Sequence, residues 1–347
     1  MQSFDVLIAG GGPSGSSTAF TCARLGLNVL LVERSKRDKG HKICGGMISP
    51  VSEKYIHEVF HKKIPSNVLS SPRDVSIFMV SPSGRGGTIR EEKLINVERD
   101  KFDSWLLNIA EKEGAEVEFC TGLTKIKDEK AIIKRNGKKE FIKAKHIVGA
   151  DGIFSTVRKN IAPEIEFKTI CIAQEFLGME GIGNHFYMFF NKDFSPTYIY
   201  LVPKNNYLLL GNGIIDRTNK NLMEKSRSWI EDYLDIEFRV IGREMWFTPC
   251  SRFLGKGNVL LVGDAAGLCN AFSGEGIRFA VKSGSLAANS IHEAINSNKK
   301  LIEMYNELTK DITRYVDKTI QIHERYTRMR NKDLEKLVKS HIAPLPI

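Results

Sequence analysis

The sequence predicts an α/β protein: a Rossmann-like dinucleotide-binding domain, an inserted antiparallel β-sheet domain and a helical C-terminus. Three observations carry this class. The apolar run in DVLIAGGGPSG (residues 5–15) breaks at Gly10, Gly12 and Gly15, and the next apolar run, NVLLVE, closes on Glu33 about 20 positions on. Several β-rich runs fill residues 165–245, unlike the strand–helix alternation before them. From residue 297 onward the chain is charged and mostly helical in pattern.

The glycine spacing has a physical reason. Gly10 makes the tight turn, Gly12 lets a pyrophosphate approach the backbone, and Gly15 lets helix and strand pack closely. The helix, from Ser14 to roughly Leu25, then offers free N–H groups and the positive end of its dipole to a diphosphate. Glu33, followed by Arg34, is placed to accept hydrogen bonds from ribose hydroxyls.

After this βαβ unit, RSKRDKGHKICGGMISP is polar and then glycine-rich, a loop by composition. Residues 53–63 read as a helix, residues 74–81 (DVSIFMVS) as a strand, and SPSGRGG as a turn. In residues 99–113, Phe102, Trp105, Leu106 and Ile109 mark one face of an amphipathic helix that Gly114 stops. AEVEFC follows as a strand. Residues 123–144 alternate apolar and charged positions around the hairpin dipeptide Asn136-Gly137, and HIVGADG (146–152) is a buried strand running into a loop. Beyond the β-rich stretch, with its one helical segment near 218–234, NVLLVGDAAG (258–267) returns to nucleotide-domain character, and a long helix begins near Gly276.

The chain has 347 residues, 42% of them apolar and 27% charged, as a folded globular protein does. No run of 18 or more apolar residues suggests a spanning helix, and no cationic leader precedes the first strand, so a cytoplasmic protein is expected. Six scattered cysteines with no C-x-x-C pair argue against a zinc site, an iron–sulfur cluster or a disulfide framework. The net charge of +10 suits a solubilising surface, an acidic partner or the inner face of a membrane as a peripheral contact. No nucleic-acid module accompanies it. The eight histidines show no ligand spacing, and no metal is expected.

Two further segments convert a dinucleotide fold into a flavoprotein. In VGADGIFSTVR (148–158), Asp151-Gly152 follows a strand, and Ser155 and Arg158 follow at D-G-x-x-S-x-x-R spacing. In NVLLVGDAAG, Asp264 stands at a strand tip, where it can hydrogen-bond a ribityl hydroxyl. The helix starting at Gly276-Ile277 presents N–H groups to the flavin edge that gains negative charge on reduction.

These three motifs, in this order, resemble the flavin-dependent family that shares the p-hydroxybenzoate hydroxylase fold. Within it the chain is most similar to the geranylgeranyl reductase group, through Cys44-Gly45-Gly46, through Tyr198-Ile199-Tyr200-Leu201-Val202-Pro203-Lys204 with Gly211 beyond, and through GDAAGLCNAFSGEGI (263–277). The likeness covers roughly residues 1–290. Ala271 stands where many relatives have proline, Tyr200 where tryptophan is common, and the C-terminal part is shorter than in many members. The resemblance implies FAD as cofactor, with Ser14 at the pyrophosphate turn, Glu33 at the adenosine ribose, and Cys44 and Gly45 beside the flavin. It places Arg99 at the phosphates or ribityl chain and the Leu123 backbone at adenine, with Asp264, Gly276 and Ile277 completing the site.

The expected domains are a discontinuous FAD-binding unit (1–70, 92–160 and 246–295), a substrate-binding β unit (71–91 and 161–245) and a helical segment (296–347). The expected activity is reduction of carbon–carbon double bonds in an isoprenoid or other lipid-like substrate. The alternative is hydroxylation of an aromatic or hydrophobic compound by an FAD monooxygenase, and a non-catalytic flavin-binding factor is the rival from another class. Cys44 and Tyr200 are the candidate catalytic residues; His41 and Lys42 are placed to act on the Cys44 thiol. Tyr198 and Tyr200 share a strand face and line an apolar channel or pack the sheet. Only one dinucleotide fingerprint is present, so the electron donor is ferredoxin or a transiently bound NAD(P)H.

Overall fold

A computed structural model of the chain describes residues 2–37, 44–127, 130–178, 181–214, 220–297 and 299–342. The predicted βαβ start is β1 (Ser3–Ala9), α1 (Pro13–Arg24) and β2 (Val29–Val32). The two strands run parallel, from Val6 opposite Val29 to Ala9 opposite Val32, with every residue of β2 buried. Then come β3 (Met47–Ile48) and α2 (Pro50–Phe60), which starts three residues earlier than periodicity suggested. The Ser49 side chain caps its N-terminus, Pro50 occupies the first turn, and His61 ends it in the left-handed region.

The chain continues through β4 (Leu69–Val80), β5 (Gly86–Val97), α3 (Arg99–Glu113), β6 (Glu116–Glu118), β7 (Thr121–Lys127), β8 (Lys130–Arg135) and β9 (Lys138–Gly149). Asn136 and Gly137, both at positive φ, make the expected β8–β9 turn. Next come α4 (Thr156–Ile161), β10 (Thr169–Leu177), β11 (His185–Phe189), β12 (Ile199–Pro203), β13 (Leu208–Ile214), α5 (Lys220–Leu234) and β14 (Val240–Pro249). The last described elements are β15 (Gly255–Lys256), β16 (Val259–Leu261), α6 (Gly263–Ala266), α7 (Ile277–Ile295), α8 (Leu301–Leu308), α9 (Lys310–Thr327) and α10 (Asn331–His341).

These strands form two sheets. The first has the order β15-β16-β9-β1-β2-β6, with β8 and β7 continuing antiparallel from β9. Strands β16, β9, β1, β2 and β6 are parallel, so their C-terminal tips form one crest. Helices α1, α3 and α7 pack around this sheet and share its core. The second sheet runs β14-β10-β13-β12-β11-β4-β5-β3 and is antiparallel except where β11 lies parallel to β4.

The second sheet buries both faces. Strand alternation sends Phe189, Ile199, Leu201 and Leu210 to one side, where Met223 and Ile230 of α5 cover them. Met79, Met188, Phe190 and Tyr198 face the other side, covered by Tyr326 of α9 and by Leu334 and Val338 of α10. The predicted C-terminal helices thus serve both cores. Tyr305 of α8 is fully buried and donates to Leu261 O of the first sheet (3.0 Å), while α10 lies on the second. Among the described residues, no helix is long and apolar enough to cross a membrane.

Candidate functional site

The three glycine-bearing motifs meet on the crest of the first sheet, because β1, β9 and β16 are neighbours there. Gly10 has φ +108°, and a Cβ on it would lie 2.4 Å from Ala150 O; a Cβ on Gly15 would lie 1.9 Å from Gly10 O. Chain packing therefore demands both glycines. Gly12 is different. It sits at an ordinary φ of −73°, and nothing lies within 4 Å of where its side chain would stand. It leaves an open cradle at the start of α1, which no side chain caps and where Pro13 has no N–H to offer.

Ser14, buried in the first turn of α1, touches the third motif: its Oγ lies 3.0 Å from the place a Cβ on Gly263 would take. Glu33 is held by two backbone donors, Gly11 N–H on Oε2 (2.7 Å) and Ser35 N–H on Oε1 (2.8 Å). Each oxygen keeps a lone pair for a ribose hydroxyl. Arg34 is exposed; its Cβ stands 3.5 Å from the side-chain position of Gly122, which precedes Leu123 on β7. The Leu123 side chain itself is buried in the core.

Asp151 uses Oδ2 to accept from Thr156 N (2.6 Å) and Val157 N (3.1 Å), capping α4. Its Oδ1 is buried with no partner among the described residues, and burial raises its carboxyl above the ordinary value despite several hydrogen bonds. Ser155 and Arg158 prove to be scaffold. Ser155 Oγ accepts from Arg158 N (2.9 Å), and the Arg158 guanidinium donates to Ala265 O and Ile153 O (2.6 Å each) while lying 3.6 Å from the Phe167 ring. The second motif is thereby fastened to the third. Asp264 Oδ1 lies 3.3 Å from the side-chain position of Gly276, the N-cap of α7, and no side chain caps that helix. Ile277 follows as its first residue, and α7 closes on α1 where a Cβ on Gly284 would lie 2.4 Å from Ser14 O.

The Cys44-Gly45-Gly46 loop joins this crest to the second sheet. Gly46 has φ +67°, and a Cβ there would meet Val97 O at 2.2 Å and Lys204 Nζ at 2.8 Å; the position of a Cβ on Gly45 faces Val202 at 3.8 Å. Arg99, at the first position of α3, is buried. It forks onto Asp103 (Nε to Oδ1 3.0 Å, Nη2 to Oδ2 2.8 Å) and also hydrogen-bonds the Cys44 side chain. Burial opposes its charge, but Asp103 and Cys44 outweigh burial and hold the guanidinium protonated well above its ordinary range. The fully buried Lys204 donates to Asn96 Oδ1 (2.6 Å) and Val97 O (2.9 Å), and burial pulls its ammonium down to about 8. Among the described residues, Arg99 and Lys204 are cations near Cys44; His41 and Lys42 lie outside the described residues.

Tyr198, just before β12, and Tyr200 within it do lie side by side, with ring centroids 6.4 Å apart. Tyr198 donates to Ser273 O (2.8 Å), and Tyr200 accepts from Gln174 Nε2 (2.5 Å). Burial pushes both phenols well above their ordinary range. Tyr200 stacks on Phe186 at 6.0 Å, and Tyr198 contacts Phe190 and Phe272. Ala271 uses its N–H to donate to Thr319 Oγ1 of α9 (3.2 Å), a bond that a proline there would lack.

Sequence reasoning gave no role to Lys204, Asn96, Gln174 or Glu275. Glu275 Oε1 accepts from Ser49 Oγ (3.1 Å) and Ser52 Oγ (3.0 Å), and its Oε2 pairs with Arg278 (3.1 Å). It ties the loop before α7 to the start of α2. Lys204 and Glu275 stand inside the motifs at 198–204 and 263–277, whereas Asn96 and Gln174 carried no local signal.

The comparisons with known proteins agree with this architecture. Residues 3–182 match the family model described as FAD binding domain. The chain is 26% identical over 320 residues to the digeranylgeranylglycerophospholipid reductase of Methanococcus vannielii, covering 85% of this chain and 78% of that protein. It is 30% identical over 345 residues to the chloroplastic geranylgeranyl diphosphate reductase of Arabidopsis thaliana, covering 90% and 70%. The crystal structure of a geranylgeranyl bacteriochlorophyll reductase-like protein from Thermoplasma acidophilum superposes with a TM-score of 0.84 at 25% identity, covering 98% of this chain and 91% of that one.

Proposed function

The chain belongs to the FAD-binding-domain family and, within it, to the geranylgeranyl reductases; from that premise we propose that it reduces carbon–carbon double bonds of a polyprenyl or prenyl-lipid substrate. It is an FAD-dependent oxidoreductase. The open cradle at Gly12, the unpartnered Asp151 Oδ1 and the two uncapped helix starts fit a dinucleotide bearing an anionic diphosphate. In this reading Gly10, Gly12, Ser14 and Gly15 take the diphosphate, Glu33 and Arg34 the ribose, and the Leu123 backbone the adenine. Asp151, Asp264, Gly276 and Ile277 complete the cofactor site, with Cys44, Gly45 and Arg99 along its flavin side. Residues 1–70, 92–160 and 246–295 then form the cofactor unit, 71–91 and 161–245 the substrate unit, and 296–347 the closing helices.

The observation that carries the substrate class is the tyrosine face of the second sheet. It is an aromatic and methionine layer beneath α9 and α10 that adjoins the cysteine loop at Val202 and the loop before α7 at Tyr198. FAD supplies hydride chemistry when bound. Saturating an alkene also requires a proton on the second carbon, and Cys44 and Tyr200 are the candidate donors. Cys44 is the better donor, because the guanidinium beside its sulfur compensates the negative charge left when the proton departs. Tyr200 orients the chain and holds its own proton firmly, since burial disfavours its phenolate. The buried aromatic face excludes water from the reacting carbons.

The net charge of +10 supports an acidic electron donor such as a ferredoxin, with NAD(P)H as the alternative. It also supports peripheral docking on the inner face of an anionic membrane. The test is anaerobic. The purified yellow protein is photoreduced, mixed with a polyprenyl substrate, and followed by flavin absorbance and by mass spectrometry of the lipid. Reoxidation with a gain of two hydrogens per double bond supports the proposal. Reoxidation only by oxygen, with a hydroxylated product, establishes the monooxygenase alternative, and no reoxidation by any acceptor establishes a non-catalytic flavoprotein.

A further inference from the structure

Gln174 is 3% exposed, and its Oε1 is buried without a partner among the described residues. A buried amide oxygen left unpaired is costly, and native proteins rarely tolerate one without a use. Its Nε2 donates to Tyr200 Oη (2.5 Å), so the phenol's own hydrogen points elsewhere. The two residues belong to one cross-strand row, since Gln174 and Tyr200 both stand opposite Gly211. That row continues through Met188 and Met79, so the polar pair closes one end of an apolar strip. Tyr200 keeps part of its surface accessible.

From this juxtaposition we infer that Tyr200 and Gln174 form a subsite for a neutral hydroxyl group on the substrate, an inference that rests on the tyrosine face holding that substrate. The pair presents one donor, the Tyr200 O–H, and one acceptor, Gln174 Oε1. An alcohol complements both at once, accepting from the phenol and donating to the amide oxygen. A diphosphate brings anionic oxygens against that amide oxygen, and a methyl-ended hydrocarbon leaves both groups unpaired. The subsite therefore selects a polyprenyl chain by its polar end.

The holoenzyme is titrated with a polyprenyl alcohol of geranylgeranyl length, with its diphosphate, and with the same chain ending in methyl. Binding is read from the perturbation of the oxidised flavin spectrum, so turnover is not needed. The wild type should bind the alcohol about tenfold more tightly than the methyl-ended chain. Gln174→Leu and Gln174→Met should each erase about that factor for the alcohol and leave the methyl-ended chain within about twofold. Equal affinity of the wild type for alcohol and methyl-ended chain, tightest binding of the diphosphate, or equal weakening of both neutral ligands by the variants overturns the subsite while leaving the reductase reading intact. Failure of the wild type to bind any of the three overturns both. Should either variant misfold, the wild-type series decides alone.

Discussion

The Tyr200 ring lies directly over Gly211, its partner on the neighbouring strand: a Cβ on Gly211 would come within 2.0 Å of Tyr200 Cζ and 2.3 Å of its hydroxyl. The glycine is what lets the phenol lie across β13 and reach Gln174 on β10. Gly211→Ala should therefore push the ring off the sheet, break the Gln174 bond and destabilise the protein by about 1–3 kcal/mol. Thermal unfolding measures the stability, and ligand-induced flavin difference spectra measure the displaced ring. A double variant that also carries Tyr200→Leu should recover most of the lost stability. If it does not, the clash lies elsewhere.

The three glycines of the first turn predict two different phenotypes. Gly12→Ala has room for its methyl and should unfold within about 1 kcal/mol of wild type, yet purify with much less flavin. Gly15→Ala drives a methyl into Gly10 O and should lose several kcal/mol or fail to fold. Unfolding midpoint and flavin-to-protein absorbance ratio separate the two. Equal loss of stability in both would remove the argument that the space before Gly12 belongs to the cofactor.

Lys204 predicts a pH dependence of known sign. Burial lowers its folded value from 10.5 to about 8, so between those values the unfolded chain binds more protons than the folded one. Stability attributable to this group is present above the unfolded value and lost as pH falls back through about 8; the full window amounts to roughly 3 kcal/mol. Denaturant titrations between about pH 8 and about pH 10 should show wild type gaining stability relative to Lys204→Met. Parallel curves for the two proteins would place the titrating group elsewhere. The raised phenols act in the opposite sense at higher pH, which is why the variant is the reference.

Glu275 predicts a coupling between two loops distant in sequence. Glu275→Ala leaves the Ser49 and Ser52 hydroxyls and the Arg278 guanidinium without their shared acceptor. A loss of about 1–3 kcal/mol is expected, together with faster release of flavin on dilution. Ser49→Ala with Ser52→Ala removes the other side of the same contact. Combining all three changes should cost far less than the sum of the separate effects.

What the sequence revealed divides by range. The crest motifs were readable because each is a strand tip followed by a turn of fixed spacing, and local sterics dictate those residues: Gly10 and Gly15 against backbone, Asp151 against the start of α4. Helix α2 was read late because its start depends on the Ser49 cap and Pro50, while periodicity begins further on. The parallel pairing of β4 with β11 had no local signal, since its partners are separated by about a hundred residues of chain. The roles of Lys204, Gln174 and Glu275 come wholly from tertiary neighbours. Arg99 was singled out at a helix start, but its fork onto Asp103 and its bond to Cys44 follow from burial that no spacing reports.

Helix α10 is pinned along its length. Asn331 at its start donates to Asn191 Oδ1 and Asp193 Oδ2, Glu335 accepts from Ser83, and Ile342 just beyond it bridges to Ile89 of β5. The aromatic face is thus sealed by helices that follow every strand of both sheets in chain order. A nascent chain would complete both sheets while that surface still lay bare, so any delay or truncation near residue 330 hands a sticky, unroofed protein to chaperones or to aggregation.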